Sequence, residues 1–406
     1  MNPPADTIQI LGMGLCSALG DSVDTTWNLL LENRSAVGCT SFENSAFGKV
    51  EATLGMADIP VAIDRPADRM AFLLRKALDE SLTSAAMPAA YLNGLGERAL
   101  LLIGISYGDI FSNDNLAIDH FIQAVLDDMD LRIPYLCVSS ACSSSNDAIA
   151  TAGDLLLAGR VDVVIAGGVD TLDVVKIVGH QNLGTLSPEI ARPFHQDRAG
   201  TNFGEAAAFL VLYRDQGRAV NPTASDDYGD GHAACRSSMV WLCGWASSSD
   251  LESLTAPDAH ARGATYILEN ALRLANARKS EVAYINAHGS GTAANDTMEA
   301  ACYTSFFGSD RSQWPLISST KAALGHSLGA TGAAEAIVTI KCLQENRAVA
   351  TFGLDKIHEA WAGYEAMLVQ APCELPAENK IFGVNMTFGF GGANAATVFK
   401  MTRPCL

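Results

Sequence analysis

Three short segments of the chain place reactive side chains among small residues. Residues 138–145 contain Cys142, and residues 286–292 and 319–330 contain one imidazole each, His288 and His326. Each segment follows a strand-like run and precedes a helix-like one. A thiol at a helix start meets the positive end of the helix dipole and free N–H groups, which favour the thiolate and can bind an oxyanion. The pattern predicts carbon–carbon bond chemistry, with a thioester on Cys142 and an enolate stabilised by two imidazoles.

Simpler interpretations exist for each of these residues. A cysteine in an apolar run is usually a buried structural thiol, and a single histidine usually belongs to the core or the surface. The remaining histidines that the sequence singles out are interpreted in this ordinary way: His120, His180, His232, His260 and His358. A metal site is disfavoured, because Cys142, His288 and His326 lie far apart and show no HxxxH or CxxC spacing.

Two further segments carry candidate supporting residues. Lys321 precedes His326, and Glu335 lies on the helix-like run that follows it. A Lys–Glu pair there would set the local charge and orient the imidazoles, although an ordinary ion pair explains it equally well. Residues 388–394 combine three glycines with Phe388 and Phe390. Such a loop can turn tightly, offer N–H groups and gate a pocket, but it is not a phosphate loop, because no GK[ST] follows.

The remaining pattern indicates an α/β fold. With 406 residues the chain is long for one core, and strand-like and helix-like runs alternate along it, which predicts parallel sheets with right-handed crossovers. Residues 138–142 and 317–321 resemble each other, each before a helix of small residues, which suggests two duplicated halves. We predict halves at residues 1–235 and 236–406, with an exposed polar loop at residues 221–231.

Composition excludes several classes of protein. A formal net charge of −18 argues against nucleic-acid binding, and no apolar stretch reaches the roughly 20 residues of a membrane helix. The N-terminus lacks the positive start of a signal peptide. The ten cysteines form no CxxC pair and lie mostly in apolar runs, which predicts reduced, buried thiols in a cytoplasmic protein.

The chain resembles the β-ketoacyl synthases of the thiolase superfamily, specifically the elongating Cys-His-His group. Besides the three segments above, residues 166–170, 192–198 and 255–258 carry the resemblance, which runs nearly end to end. It implies a thiolase-like fold, in which two duplicated βαβαβαββ halves form a layered α-β-α-β-α sandwich. The N-terminal half would carry the nucleophile, and the C-terminal half would carry both histidines.

The resemblance also implies roles for individual residues. Cys142 would be the acyl-accepting nucleophile, and His288 and His326 the pair that supports decarboxylation. The N–H groups of Cys142 and of the gating Phe390 would form the oxyanion hole. The other implied roles are charged support by Lys321, Glu335 and Asp296, contact with phosphopantetheine by Ser290 and Thr292, and substrate binding by Tyr107 and Phe388.

The implied activity is decarboxylative condensation of an acyl thioester on Cys142 with malonyl-acyl-carrier protein, giving 3-oxoacyl-carrier protein in fatty-acid or polyketide synthesis. No cofactor of its own is expected, since phosphopantetheine arrives on the acyl carrier protein. We expect a homodimer, or a heterodimer with a ketosynthase-like subunit. The intact Cys142, His288 and His326 favour an active enzyme over the alternative, a chain-length-tuning partner subunit. Docking of the acidic carrier is assigned to Arg65, Arg69 and Arg198, although single basic residues often only solvate a helix face.

Departures from the family concern the acyl pocket. The stretch between Tyr107 and Cys142 is short, and Tyr107 stands where relatives usually carry a smaller residue. We therefore expect a shortened or reshaped pocket, with a core tyrosine as the alternative. Degradative thiolases carry a second cysteine in the C-terminal glycine loop, and starter-type synthases carry Asn in place of the second histidine. Phe390 and His326 at these positions favour an elongating, biosynthetic enzyme.

Overall fold

The computed structural model describes residues 8–60, 65–108, 110, 117–214, 239–251, 253–376 and 379–402. The strands within these ranges are β1 Ile8–Ser17, β2 Val37–Asn44, β3 Gly48–Gly55, β4 Ala99–Gly104, β5 Tyr135–Val138, β6 Val163–Asp170, β7 Ala206–Tyr213, β8 Met239–Ser249, β9 Val282–Asn286, β10 Leu316–Ser318, β11 Arg347–Ala348, β12 Cys373–Glu374, β13 Phe382–Phe388 and β14 Ala393–Thr402.

The helices within the same ranges are α1 Val23–Leu31, α2 Pro66–Ser84, α3 Ala89–Leu95, α4 Ile122–Asp128, α5 Ser144–Leu157, α6 Val174–Asn182, α7 Arg262–Leu274, α8 Ala293–Phe307, α9 Lys321–Leu324 and α10 Thr331–Glu345. Local sequence sets several of their starts. The side chain of Asp173 accepts the Lys176 N–H and caps α6, and Pro66 opens α2. None of the described helices has the length and apolar character needed to cross a bilayer.

Ten strands form one mixed sheet in the order β10-β9-β13-β14-β8-β1-β7-β6-β4-β5. Each half contributes five strands to this sheet. If these five are numbered in chain order, both halves have the strand order 3-2-4-5-1 from the outer edge of the sheet to its centre. The halves join where Ile8 and Gln9 of β1 pair with Leu242 and Trp241 of β8. The repeated order agrees with two duplicated halves. The predicted boundary at residue 235 and the loop at residues 221–231 lie outside the described residues.

The sheet is less parallel than the alternating pattern predicts. The pairs β4–β5, β4–β6, β9–β10 and β9–β13 are parallel, whereas β6–β7, β1–β7, β13–β14 and β8–β14 are antiparallel. The expectation of parallel sheets is therefore confirmed for the four outer pairs and is wrong for the central ones. In the C-terminal half the physical reason is the short glycine turn between β13 and β14, which returns the chain directly without a helical crossover.

Helices α5 and α10 lie between the two halves of the sheet and contact strands of both. On the outer faces, α2 packs on β1 and β7, and α7 packs on β8 and β14. The layers therefore follow the order α-β-α-β-α. The eight described cysteines are free thiols, but Cys39 and Cys373 are exposed, so burial of the thiols is less general than their apolar surroundings predict. The cytoplasmic location stays a prediction.

The middle layer permits very little side-chain volume where α5 and α10 meet. A Cβ added to Gly332 at the start of α10 would lie 2.7 Å from the backbone nitrogen of Asn146 on α5. We predict that Gly332→Ala lowers the free energy of unfolding by about 1–3 kcal/mol, because overpacking forces the backbones apart. Thermal unfolding measures the change.

The matched control for this prediction is Gly94→Ala. Gly94 lies within α3, and no atom lies within 4 Å of a Cβ added there. This substitution should leave stability unchanged or raise it by about 0.5–1 kcal/mol, since alanine favours the helix. Equal melting temperatures for the Gly332→Ala protein and the wild type would contradict the tight helix contact.

Candidate active site

Cys142 lies in a single 3₁₀ turn, Ala141–Ser143, directly before α5. Ala141 adopts a left-handed backbone conformation with φ of 52°, which turns the chain sharply between β5 and the helix. Conformations of this kind in non-glycine residues are strained and cluster at functional sites. The backbone N–H of Phe390 acts on the Cys142 thiol and lowers its pKa. The strand, strained turn and helix thus present the sulfur to the residues of the C-terminal half.

Opposing effects act on the pKa of the Cys142 thiol. Burial raises its pKa to about 11, while the charge of Lys321 and the Phe390 N–H act in the opposite direction. Desolvation is the cause of the rise, because an anion loses hydration in this site. It opposes the helix start, which favours the thiolate, so the thiolate expected at Cys142 stays a prediction.

His326 is fixed by its backbone and by its ring. The backbone N–H of His326 donates to the Asn202 carbonyl at 2.7 Å, and the backbone carbonyl of His326 accepts from the Gly204 N–H at 3.0 Å. The Leu328 N–H donates to Nδ1 at 3.3 Å, and the Thr331 hydroxyl lies 2.8 Å from the same nitrogen. Because Nδ1 accepts, the proton is assigned to Nε2, which lies 3.1 Å from Cys142 Sγ.

His288 follows β9 and is held by a carboxylate that the sequence analysis missed. The N–H groups of His288 and Gly289 donate to the two carboxylate oxygens of Glu299, at 2.9 and 2.6 Å. The His288 ring is nearly perpendicular to the His326 ring, with centroids 5.2 Å apart. Phe388 packs edge-on against it at 5.9 Å. The two imidazoles therefore face one small volume beside Cys142.

Both imidazoles are neutral at physiological pH. Burial lowers the pKa of His288 and of His326 well below the usual value of 6.5, and the charge of Lys321 adds to the effect. Neutral imidazoles can donate an N–H to a developing oxyanion without first carrying a positive charge themselves.

Lys321 and Glu335 form a buried ion pair, with Nζ and Oε1 2.5 Å apart and both side chains at most 2% exposed. Burial raises the pKa of Glu335 to about 7, and Lys321 opposes this rise. The charge of Lys321 also lowers the pKa of Cys142, His288 and His326. Lys321 therefore acts on the pKa of all three groups, whereas Glu335 acts on that of Cys142 alone.

Cys142, His288 and His326 line a cleft of about 690 Å³. Ser290, Thr292, Phe388 and Phe390 also line it, and the Ser290 and Thr292 hydroxyl oxygens lie 2.9 Å apart. Asp296 lies beneath the cleft and accepts the Gly291 N–H at 3.1 Å. Among the residues that the structure describes, no three His, Cys, Asp or Glu side chains could share a metal ion.

Tyr107 is placed outside the residues that line this cleft. Its ring centroid lies 4.9 Å from Nζ of the buried Lys176. Burial, and then the charges of Asp170, Asp173 and Cys142, raise the pKa of its phenol. The phenol therefore lies near Cys142 but outside the cleft lining, within a cluster of charged groups.

The three predicted docking arginines differ in their surroundings. Arg65 is exposed and pairs with Asp68 at 2.7 Å. Arg69 pairs with the fully buried Glu205, and Arg198 is 6% exposed and donates to Thr297 Oγ1 at 2.9 Å. A carrier protein would have to displace internal partners to reach Arg69 or Arg198, so their burial disfavours the docking role predicted for them.

His180 is a second residue that the sequence analysis missed, since it was interpreted as ordinary. It lines the cleft from α6, and its ring stacks on Phe390 at 5.4 Å with an interplanar angle of 17°. Phe203 packs edge-on against it at 4.6 Å. Burial lowers the pKa of His180 to about 4, so the ring is neutral. No sequence signal points to this role, because its aromatic partners are distant in the chain.

Comparison with known proteins agrees with this geometry. Residues 124–217 match the N-terminal domain and residues 240–355 the C-terminal domain of the β-ketoacyl synthase family. The chain is 30% identical to "Nodulation protein E" of Rhizobium meliloti, over 97% of this chain and 98% of that protein. It is 27% identical to "3-oxoacyl-[acyl-carrier-protein] synthase 2" of Vibrio harveyi over the same shares.

Solved structures show the same fold. A ketosynthase in complex with its chain length factor from Xenorhabdus doucetiae superposes with a TM-score of 0.77 and 27% identity, covering 99% of this chain and all of the matched chain. A β-ketoacyl synthase from Burkholderia phymatum superposes with a TM-score of 0.77 at 24% identity, covering 98% of this chain and all of that one. The chain belongs to the β-ketoacyl synthase family, and its thiolase-like fold is confirmed.

We predict that the stacking of His180 on Phe390 limits the access of reagents to the Cys142 thiol. An aromatic pair contributes about 0.5–1.5 kcal/mol beyond its buried area. His180→Leu fills the space without stacking, so maleimide labelling of Cys142 should become about 2–10 times faster as Phe390 moves more freely. His180→Phe keeps the stack and should label at the wild-type rate. Peptide mass spectrometry resolves Cys142 from the other thiols, and equal rates for both variants would contradict the prediction.

Proposed function

We propose that the protein catalyses decarboxylative Claisen condensation, joining an acyl group on Cys142 to the two-carbon unit of malonyl-acyl-carrier protein. The observation that supports this most is the meeting of a thiol and two neutral imidazoles at one cleft. His326 Nε2 lies 3.1 Å from Cys142 Sγ, and the His288 ring lies beside it.

Acyl transfer to Cys142 comes first. The sulfur attacks the carbonyl carbon of an acyl thioester, and the oxyanion that forms is held by the N–H groups of Cys142 and Phe390. Collapse of this intermediate breaks the bond to the carrier sulfur. The proton lost by Cys142 is balanced by the proton that the departing carrier thiol gains. Burial raises the pKa of Cys142, whereas the helix start, the charge of Lys321 and the Phe390 N–H favour loss of its proton.

Decarboxylation follows when malonyl-acyl-carrier protein enters the cleft. The bond between the carboxylate and the α-carbon breaks, CO₂ leaves, and the electron pair remains as the enolate of the thioester. The N–H groups of His288 and His326 stabilise the enolate oxygen. A closed site with lowered histidine pKa values suits this step, because the donors stay uncharged before the oxyanion develops.

Condensation completes the cycle. The enolate carbon attacks the acyl carbonyl on Cys142, and the same two backbone N–H groups hold the second oxyanion. Expulsion of the Cys142 thiolate releases 3-oxoacyl-carrier protein, and one proton from solvent restores the thiol. The balance is acyl-enzyme, malonyl-carrier and a proton giving product, CO₂ and free enzyme.

The partners follow from the proposed reaction. Both substrates would arrive on the phosphopantetheine arm of an acyl carrier protein, so the enzyme needs no cofactor of its own, and the hydroxyls of Ser290 and Thr292 would contact that arm. Complexes with an acyl carrier protein or a chain length factor are known for proteins of the same fold. We propose a dimer, either of two copies or with a ketosynthase-like subunit.

The first test is intact-mass spectrometry of the protein after incubation with acyl carrier proteins of different chain length, then with malonyl-acyl-carrier protein. The wild type should gain the acyl mass on Cys142 and release 3-oxoacyl product. Cys142→Ala should gain no mass. His288→Ala should acylate but release CO₂ about 10²–10³ times more slowly, since one oxyanion donor is lost.

The control for these variants is His260→Ala, because His260 is exposed and lies outside the cleft. It should react like the wild type. Absence of acylation with every carrier would argue against the condensing function. It would favour a chain-length-tuning partner subunit, to be sought by copurification with a ketosynthase.

Chain-length preference tests the role proposed for Tyr107. Tyr107→Gly removes the ring that lies against Lys176 near the nucleophile, so longer acyl chains should be accepted on Cys142. Tyr107→Phe keeps the ring and should retain the wild-type profile. The same mass assay compares the acyl carriers, and an unchanged profile for Tyr107→Gly would assign the tyrosine to the core only.

A further inference from the structure

A second buried ion pair lies outside the catalytic groups described above. Lys176 Nζ donates to Asp170 Oδ1 at 2.7 Å and to the Thr171 carbonyl at 2.7 Å, and both charged side chains are fully buried. The proposed mechanism does not use either charge. A buried ion pair is weak evidence for stability, because desolvation of two charges offsets their attraction. The pair therefore needs another explanation.

The second oxygen of Asp170 reaches towards the catalytic histidine. Oδ2 accepts hydrogen bonds from the Ser106 N–H at 3.0 Å, the Ser106 hydroxyl at 2.5 Å and the Gly329 N–H at 3.0 Å. Gly329 belongs to the 3₁₀ turn Leu328–Ala330 that follows His326. A Cβ on Gly329 would lie 2.5 Å from the Ser106 nitrogen, so the turn is pressed against the Asp170 network.

This turn carries the donor that selects the tautomer of His326. The Leu328 N–H donates to Nδ1, and Leu328 itself has φ of 48°, a left-handed conformation that is costly for a branched side chain. Such strain persists only when neighbouring contacts hold it. The next residue of the turn is Gly329, and its N–H donates to the Asp170 carboxylate. This charge-assisted hydrogen bond lies in a buried environment and can hold the turn in place.

We propose that Asp170 is a positioning residue for His326, and that its ion pair with Lys176 fixes the orientation of its carboxylate. Asp170 holds the strained turn through Gly329, the turn aims the Leu328 N–H at Nδ1, and the proton therefore stays on Nε2, facing Cys142. The consequence for catalysis rests on the proposed function, whereas the tautomer of His326 does not.

The variants separate the hydrogen bond from the charge. Asp170→Leu with Lys176→Met removes both charges and the acceptor for Gly329, with apolar groups of similar size. Asp170→Asn with Lys176→Met also removes both charges but leaves an amide oxygen that can accept from Gly329. Asp162→Asn breaks the pair between Asp162 and Arg98 at the start of the same strand and is the matched control.

The decisive measurement is ¹⁵N NMR of histidine-labelled protein, with the His326 signals assigned by their loss in His326→Asn. In the wild type, in the Asn/Met variant and in Asp162→Asn, Nδ1 should show the shift of an unprotonated nitrogen and Nε2 that of a protonated one. In the folded Leu/Met variant the signals should average between tautomers. Wild-type signals in the Leu/Met variant would overturn the proposal.

A kinetic measurement gives a second, separate test. In the Leu/Met variant, kcat for malonyl decarboxylation should fall by about tenfold or more with KM within about twofold, since substrate binding is intact but a donor is misdirected. The Asn/Met variant should recover most of the loss, and equal kcat in both variants would count against the proposal. If Leu/Met does not fold, Asp170→Ser with Lys176→Met replaces it, because the shorter hydroxyl does not reach Gly329. An inactive wild type would reject the proposed function, and the NMR result would still decide the role of Asp170.

Discussion

The site depends on the close contact between the first turns of α5 and α10. Gly332 admits the backbone of Asn146 at a distance that no side chain allows, and the Ala333 N–H donates to Ser145 Oγ at 2.9 Å across the same contact. Cys142 stands just before one helix, and His326 stands just before the other. Because the helices begin together, these two residues meet, although one belongs to each half of the chain. Small residues in the middle layer are therefore as necessary to the chemistry as the reactive groups.

The groups that could be predicted from the sequence are those whose role is set by local structure. Cys142, His288 and His326 each lie in a strand–turn–helix segment, and such segments are readable from spacing and small residues alone. Their convergence followed from the resemblance to a family, since nothing local brings them together. His180 and Glu299 were missed because their roles come from partners far away in the chain, namely the Phe390 ring and the N–H groups of His288 and Gly289.

Charge was harder to predict than position. The sequence shows that Cys142 precedes a helix, which favours the thiolate. Burial of the site raises the pKa of this thiol, and the extent of that burial cannot be read from the local sequence. Arg69 and Arg198 likewise looked available in the sequence, yet each is turned inwards to partners of its own. Burial decides whether a charged residue is available to a partner at the surface or bound to groups inside the protein, and no local sequence pattern encodes it.

The identical strand order of the two halves has an evolutionary consequence. The third strand of the first half, β5, leads to Cys142, the proposed nucleophile, whereas its counterpart β10 leads to Lys321 and His326. Equivalent places in a repeated architecture have thus acquired complementary tasks, and neither half contains a complete set of reacting groups. Once this division of labour was established, the halves could no longer evolve independently. A substitution that moves the Cys142 sulfur in the first half would need a compensating substitution near His326 in the second half, so the two halves must evolve together.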